Sequence, residues 1–341
     1  MPLMKNTFRV LFYTSLFLLT IMMGCQNKNE APKIIARTKT IAVKISDSTV
    51  LDTVEYDKRV GALRITDSLG RWKIKTPYPL AGAILPYKRV VAFYGNLFSK
   101  RMGILGELPK EQMLKKLREE TQKWALADPS TPVVPALHYV AITAQGKPGK
   151  QNKYRQRMPA RQMDTVVAWA KSIGGIVFLD VQMGHSSIKE EAGSLVNHLK
   201  LPNVHLGIDP EFAMKTGAVP GTKIGTLSSA DINDAIDILA KLVKENNLPP
   251  KILVVHRFTQ GMVTDYKNIK TCPEVQVVMH MDGWGGKALK RSAYHMAIYK
   301  EPVQFAGFKL FYKNDTKGNH TLFTPQEILQ LTPKPVYIQY Q

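Results

Sequence analysis

The stretch LGIDPEF, residues 206–212, is a buried-strand pattern that ends abruptly in two acids, Asp209 and Glu211. The same change from apolar to polar recurs in VQVVMHMDGW (275–284) and in GIVFLDVQ (175–182). Burying an unpaired charge costs several kcal/mol. A repeated pattern of this kind therefore needs a cause, and the order of the surrounding elements supplies one.

Residues 89–341 alternate between strand-like and helix-like stretches. The strand-like runs are RVVAFYG, PALHYVAIT, GIVFLDVQ, NVHLGIDPEF, KILVVHRF, VQVVMHMDGW, QFAGFKLFYK and PVYIQYQ. Nearly continuous apolar strands between helices indicate a parallel sheet. Eight of them predict an α/β fold, a (β/α)8 barrel of the TIM type. A doubly wound open sheet is the alternative, although no G-x-G-x-x-G follows the first run.

The segment before the barrel, residues 33–88, has a different pattern. It contains short alternating stretches and the turn signal DSLG, which predict a β-rich extension built from hairpins. The last strand-like run ends at Gln341, so no eighth helix is expected. We therefore expect the extension to pack on the barrel, outside it or against its amino-terminal end.

The first residues form a targeting segment. An apolar run, VLFYTSLFLLTIMMG, follows a basic start and is shorter than the roughly 20 residues of a membrane-spanning helix. The run leads into Gly24-Cys25, which resembles the lipobox of bacterial lipoprotein signal peptides. That resemblance implies removal of residues 1–24, lipidation of Cys25 and a tether over residues 25–32. It places the protein in the bacterial cell envelope, anchored to the membrane outside the cytoplasm.

The composition limits the partners of the protein. The formal net charge is +20, from 47 Lys and Arg against 27 Asp and Glu, which favours an anionic partner. An exported protein does not meet nucleic acid, so a glycan or another anionic polymer is the expected substrate of a monomer. The loop AQGKPGKQNKYRQRMPAR (144–161) carries six Lys and Arg residues and no acid. After removal of Cys25, Cys272 would be the remaining cysteine, which excludes an intramolecular disulfide.

A barrel explains why acids follow the strands, because TIM-barrel active sites lie at the carboxyl ends of the strands. Residues two positions apart along a strand share a side. Neighbouring carboxylates raise each other's pKa, so that one can act as an acid while another stays ionised. Asp209 or Glu211, together with Asp282, is therefore the predicted catalytic pair. The predicted substrate-binding residues are Asp180, Gln182, His256, Arg257, His280, Trp284, Lys309 and Tyr312.

Two other functions stay open at this stage. Asp180, Asp209, His256, His280 and Asp282 carry metal-donor atoms, so a metal-dependent phosphoester hydrolase is one alternative. A non-catalytic barrel that binds an anionic glycan is the other. The leading interpretation requires neither a metal nor a cofactor, because a carboxylate pair alone can hydrolyse a glycosidic bond.

The predicted barrel, with acids after its fourth and sixth strands, resembles the glycoside hydrolase barrels. In one clan of these enzymes the nucleophile follows strand four and the acid/base follows strand six, which would be Asp209 and Asp282 here. The phrases LDVQ, IDPEF, VVHRF, MDGWG and GFKLFY also resemble a group of exported bacterial lipoproteins of unassigned activity. The two resemblances imply a surface-anchored glycan hydrolase.

Overall fold

A computed structural model describes residues 50–341. The predicted signal peptide, Cys25, the tether and the first part of the extension lie outside the described residues. Among the helices that are described, none has both the length and the apolar character needed to cross a membrane.

Eight parallel strands form a closed barrel. They are β1 (Arg89–Gly95), β2 (Val133–Ala144), β3 (Ile176–Val181), β4 (Val204–Ile208), β5 (Lys251–Arg257), β6 (Val275–Met281), β7 (Phe305–Leu310) and β8 (Tyr337–Tyr340). Each strand pairs in parallel with the next, and β1 pairs with both β2 and β8. The predicted closed (β/α)8 sheet is confirmed.

Helices cover the outside of this sheet. They are α1 (Thr53–Leu63), α2 (Ile104–Glu107), α3 (Lys110–Ala127), α4 (Ala160–Lys171), α5 (Ile188–Ser194), α6 (Val196–Leu199), α7 (Ser229–Asn246), α8 (Lys287–Tyr294) and α9 (Pro325–Ile328). The π-helical turn His295–Tyr299 continues α8, and a strand, Arg155–Arg157, pairs antiparallel with β2. Between β5 and β6 the chain forms the 3-10 turns Gln260–Met262 and Tyr266–Asn268. None of the described residues forms a helix after β8.

The barrel interior changes from apolar to polar along its axis. On β1 the inner side chains Val90 and Ala92 precede Tyr94, and on β3 the inner Phe178 precedes Asp180. Apolar side chains therefore predominate in the amino-terminal half of the interior, with His205 and Gln276 as polar exceptions, and polar ones predominate in the carboxyl-terminal half. The opposite faces of the strands pack against the helices in a separate apolar core.

The hairpins predicted for the extension are wrong within the described residues, because Thr53–Leu63 is the helix α1. Asp52 caps this helix by accepting a hydrogen bond from the Glu55 amide at 2.9 Å, and Glu55 pairs with Arg59 one turn later. The error arose because the segment was searched for alternating residues. The apolar face of a helix is formed by residues three or four positions apart, which such a search does not detect.

The described part of the extension packs on the amino-terminal end of the barrel. Tyr56 of α1 and Leu85 are buried in the same cluster as Val90 and Phe178. The chain then follows the outside of the barrel, where the indole of Trp72 donates to the Tyr299 carbonyl at 3.1 Å. This arrangement leaves the carboxyl-terminal end of the barrel open.

Candidate active site

A cavity of about 670 Å³ opens at the carboxyl-terminal end of the barrel. All eight strands, or the residues that follow them, contribute to its wall. The lining residues are Tyr94, Met102, Ala144, Gln182, Asp209, Glu211, Phe212, Phe258, Thr259, Asp282, Gly283, Trp284, Leu289, Lys290, Ala293, Lys309, Phe311 and Gln341. The three predicted catalytic carboxylates therefore share one cavity with aromatic side chains.

The first two carboxylates sit on a tight turn after β4. Asp209 accepts a hydrogen bond from the Glu211 amide at 3.1 Å and so caps the 3-10 turn Pro210–Phe212. Asp209 is buried, whereas Glu211 is partly exposed. Burial raises the pKa of Glu211, and the nearby charge of Asp282 raises it further. Glu211 can therefore hold a proton that an ordinary surface glutamate would lose.

Asp209 itself also resists ionisation. Burial raises its pKa well above the usual range, and the charges of Asp282, Asp180 and Glu211 act in the same direction. His256 partly offsets these effects. The Asp209–Glu211 turn is thus a place where negative charge is poorly compensated.

The third carboxylate has a cationic partner. Asp282 Oδ2 lies 3.1 Å from His256 Nδ1, and both residues are buried. Burial lowers the pKa of His256, but Asp180 and Asp282 outweigh it and raise the pKa to about 10. Asp282 is therefore held by a cationic side chain, whereas among the described residues no Lys, Arg or His forms an ion pair with Glu211 of the same cavity.

Asp180 lies beneath the cavity rather than on its wall. Its Oδ1 is 3.2 Å from His138 Nε2 and 3.4 Å from His256 Nε2. Its Oδ2 accepts a hydrogen bond from the Tyr94 hydroxyl at 3.3 Å. Burial opposes the charge on Asp180, yet the two histidines keep its pKa below the usual value. Asp180 is therefore a buried anion that holds the floor of the cavity together.

Gln182 and Lys309, two predicted binding residues, do line the cavity. Gln182 donates to the Tyr94 hydroxyl at 3.3 Å and accepts from the Ala144 amide at 3.2 Å. The Lys309 ammonium lies 3.8 Å from the centre of the Tyr94 ring. Burial lowers the pKa of Lys309, although the surrounding carboxylates oppose this. Trp284 also lines the cavity and is 58% exposed.

Two of the predicted binding residues lie away from the cavity. Arg257 follows the inward His256, so it points outward, where it pairs with Glu301 and donates to the Ala297 carbonyl at 3.2 Å. Tyr312 lies two residues beyond Leu310, the last residue of β7. Its hydroxyl donates to Glu120 at 3.1 Å. Alternation along the strand therefore explains the position of Arg257, and the end of β7 explains that of Tyr312.

His280 points into the barrel, below the cavity. Its ring lies 5.1 Å from that of His256 and 4.9 Å from that of Tyr337, measured between centroids. Burial lowers the pKa of His280 well below its usual value, and the neighbouring cations His256 and Lys309 lower it further. His280 is thus a neutral interior side chain and does not reach the cavity wall.

The basic loop, residues 144–161, is partly neutralised by two acids of the same face. Glu191 accepts hydrogen bonds at 2.7 Å from both Arg155 Nε and Arg157 Nε. Glu190 pairs with Lys153 and with both arginines. Half of the cations of this loop are therefore engaged within the protein, which weakens the case for the loop as a polyanion site.

Sequence reasoning missed two residues of the floor, Tyr94 and His138. Tyr94 stands in the apolar run RVVAFYG and His138 in PALHYVAIT, and His138 has no polar neighbour two positions away. Strand alternation could have identified His138, because it lies two residues after Ala136 and therefore on the same inward side of β2. A single histidine on the inward side of a buried strand is a candidate for the barrel interior.

The fold and the cavity define a (β/α)8 barrel with a carboxylate-lined site at the carboxyl ends of its strands. The sequence matches no protein-family model and no curated protein. Among solved structures it is similar to cellulase Cel5C_n, with 12% identity, coverage of 77% of this chain and 84% of that chain, and a TM-score of 0.40. It is also similar to mannanase BCman of Bacillus subtilis, with 10% identity, coverage of 75% of this chain and 81% of that chain, and a TM-score of 0.38. For mannanase man26 of Bacillus subtilis the identity is 10%, the coverage is 86% of each chain, and the TM-score is 0.39.

Proposed function

We propose that this protein hydrolyses a glycan, with Glu211 as the proton donor and Asp282 as the second carboxylate. The observation that carries the proposal is the cavity that holds both side chains in opposite electrostatic environments. Glycosidases need such a pair, one carboxyl protonated and the other ionised. Asp209 has a supporting role, because its carboxylate binds the amide of Glu211 and so positions that residue.

In the proposed reaction Glu211 donates its proton to the glycosidic oxygen as the bond to the sugar breaks. In a first route Asp282 attacks the sugar, and a water that gives its proton to Glu211 then releases the sugar from Asp282; in a second route Asp282 takes a proton from the water that attacks the sugar. A separation of roughly 5–5.5 Å between the carboxyl groups would favour the first route, and roughly 6.5–9.5 Å the second. Either route uses the raised pKa of Glu211, since a proton donor must still be protonated at the working pH.

The rest of the cavity suits a sugar. Sugar rings stack on aromatic faces, and Trp284 stands at the mouth with Phe258 and Phe311 further along the wall. Gln182 and Lys309 offer donors that can orient hydroxyl groups. The cavity opens toward solvent at the end of the barrel that the extension leaves free, which suits a polymer longer than the cavity.

The test is a screen of plant, algal and envelope polysaccharides, cellulose and mannan among them, for released reducing ends. We expect at least one polysaccharide to be cleaved, and Asp282→Asn to abolish the cleavage. Glu190→Gln is the matched control, because it removes a carboxylate on the same face outside the cavity and should leave cleavage intact. Binding without cleavage across the panel would contradict the proposal and favour the non-catalytic barrel.

We further propose that the protein is attached to the membrane through a lipid on Cys25. The support is the apolar run that leads into Gly24-Cys25. Fractionation of cells that produce the wild type and Cys25→Ser tests this proposal. We expect the wild type in the membrane fraction and the variant either soluble or unprocessed. A variant that is trimmed normally and stays membrane-bound to the same extent would refute it.

A further inference from the structure

We propose that His138, Asp180 and His256 form a buried site for a divalent transition-metal ion of the zinc class. The site lies beneath the cavity, and the proposal does not depend on glycan hydrolysis. One donor atom from each residue, Nε2 of the two histidines and an oxygen of Asp180, lies within 4.8 Å of the others. All three side chains are fully buried.

The spacing of these atoms fits a coordination shell. Asp180 Oδ1 is 3.2 Å from His138 Nε2 and 3.4 Å from His256 Nε2. Zinc binds nitrogen and oxygen at about 2.0–2.2 Å in a tetrahedron, so neighbouring ligand atoms stand about 3.3–3.5 Å apart. Two histidines and one carboxylate are also a donor set that suits zinc, iron and related ions better than magnesium or calcium.

The hydrogen bonds leave free the atoms that a metal would need. His138 Nε2, Asp180 Oδ1 and His256 Nε2 are buried and have no hydrogen-bond partner. The other polar atom of each residue is occupied.

The partners of those other atoms are the outer contacts that metal sites have. Tyr337 Oη lies 2.6 Å from His138 Nδ1, Asp282 lies 3.1 Å from His256 Nδ1, and the Tyr94 hydroxyl bonds Asp180 Oδ2. Metal-binding histidines commonly give their second nitrogen to a carboxylate or another acceptor in this way. With Nδ1 of each histidine held in this way, both Nε2 atoms face Asp180 Oδ1, and a metal ion would take the place of a proton there.

The neighbouring strand leaves room for this arrangement. Gly207 pairs with Asp180 across β3 and β4. A Cβ at position 207 would lie 2.4 Å from Asp180 Oδ1 and 2.6 Å from His138 Nε2. Any larger residue would therefore displace the two donor atoms from each other.

The charge of the surroundings also favours a cation. Asp180, Asp209 and Asp282 are buried within or just under the cavity floor, together with the partly exposed Glu211. Lys309 and the His256 imidazolium face these carboxylates, and Lys290 also lines the cavity. A divalent ion that replaces the Nε2 proton of His256 would supply positive charge beside Asp180 in a region where water cannot do so.

The test measures metal directly on the purified protein. After dialysis against zinc and then metal-free buffer, we expect about one zinc ion per chain in the wild type. His256→Gln and Asp180→Asn should retain only background zinc. His198→Gln is the control, because it removes a partly exposed histidine that pairs with Asp164 and not with the three proposed ligands. This variant should bind as much zinc as the wild type.

A second measurement covers variants that fail to fold. Anomalous scattering from a zinc-loaded crystal of the wild type should place one peak among the three side chains, and zinc should raise the Tm of the chelator-treated protein. Wild type that holds no more zinc than His256→Gln, or a peak elsewhere, would overturn the proposal. Metal binding without glycan cleavage would refute the proposed function alone, and cleavage without metal would refute this site alone.

Discussion

Two acidic pairs lie at the carboxyl-terminal end of this barrel, and their environments are opposite. Glu190 and Glu191, in the first turn of α5, are bound by Lys153, Arg155 and Arg157. Asp209 and Glu211, after β4, line a cavity with Lys290 and Lys309, yet among the described residues no Lys, Arg or His forms an ion pair with either acid. The comparison separates acids that hold the structure together from acids that are available for chemistry.

The pKa directions express the same difference. Burial opposes the charge on Glu191, but hydrogen bonds from Arg157, Ser186 and Arg155 keep its pKa below the usual value. Burial raises the pKa of Glu211, and no neighbour reverses the effect. Both acids are on the same face of the barrel. The side chains that contact an acid, rather than its position at the end of the barrel, therefore decide whether its pKa is raised or lowered.

The largest expected effect concerns activity. Glu211→Gln removes the proposed proton donor, and general acid catalysis contributes roughly 10²–10⁴-fold. We therefore expect kcat on a cleaved glycan to fall by roughly 10²–10⁴-fold. Glu190→Gln should change kcat little. Equal losses in the two variants, measured by initial rates on the same polysaccharide, would remove the distinction between the pairs.

The second prediction concerns the free energy of unfolding of variants in the two acidic pairs. Glu191→Gln removes the buried carboxylate that pairs with the buried Arg155 and the partly exposed Arg157, and it leaves Glu190 as their charged partner. Breaking a buried ion pair costs about 3–5 kcal/mol, and the contacts that Glu190 keeps should reduce this cost, so we expect the free energy of unfolding to fall by at most about 3 kcal/mol. Glu211→Gln should leave stability at neutral pH unchanged or slightly higher. Urea unfolding of the two variants beside the wild type decides between these outcomes.

The pH dependence of stability sharpens the contrast. The stabilisation from Glu191, whose folded pKa is lowered, is present above the ordinary value of 4.5 and is lost as the pH falls through the folded pKa. The contribution of Glu211, whose folded pKa is raised, is present below 4.5 and is lost as the pH rises through the folded pKa.

Unfolding curves at several pH values therefore separate the variants. The deficit of Glu191→Gln should shrink as the pH falls below 4.5, whereas Glu211→Gln should gain on the wild type as the pH rises above 4.5. Glu119→Gln, at an exposed position of α3 outside both pairs, serves as a reference for changes that any carboxyl substitution causes. Parallel curves for the two glutamate variants would contradict the assignment.

The smallest expected effect concerns Trp284, which lines the cavity and is 58% exposed. Aromatic stacking is worth about 0.5–1.5 kcal/mol, so Trp284→Ala should raise KM about two- to tenfold with little change in kcat. Its free energy of unfolding should change by less than about 0.5 kcal/mol. The exposed Leu126→Ala is the control on α3. A loss of stability without a change in KM would assign Trp284 to the core instead.

The strand assignments illustrate what could be predicted. VQVVMHMDGW became β6 and KILVVHRF became β5, each starting where predicted and ending three residues and one residue earlier, at Met281 and Arg257. Both runs form strands because apolar runs of this length are buried on both sides. The side on which a residue lies followed from alternation for His256, but not for Tyr312, which stands beyond the last residue of β7. The extension was the main error, since the described residues 50–88 contain a capped helix where alternating residues had indicated strands.

The sequence alone determined that strands and helices alternate and that polar groups follow the strands, because burial and backbone periodicity are local properties that each segment carries with it. Only the tertiary structure decided which polar groups meet. Barrel closure brings His138 to Asp180 and His256, and it brings Arg155 to Glu191. Coulombic and desolvation energies depend on such distances between segments remote in sequence, so the chemistry of each acid follows from the closed barrel.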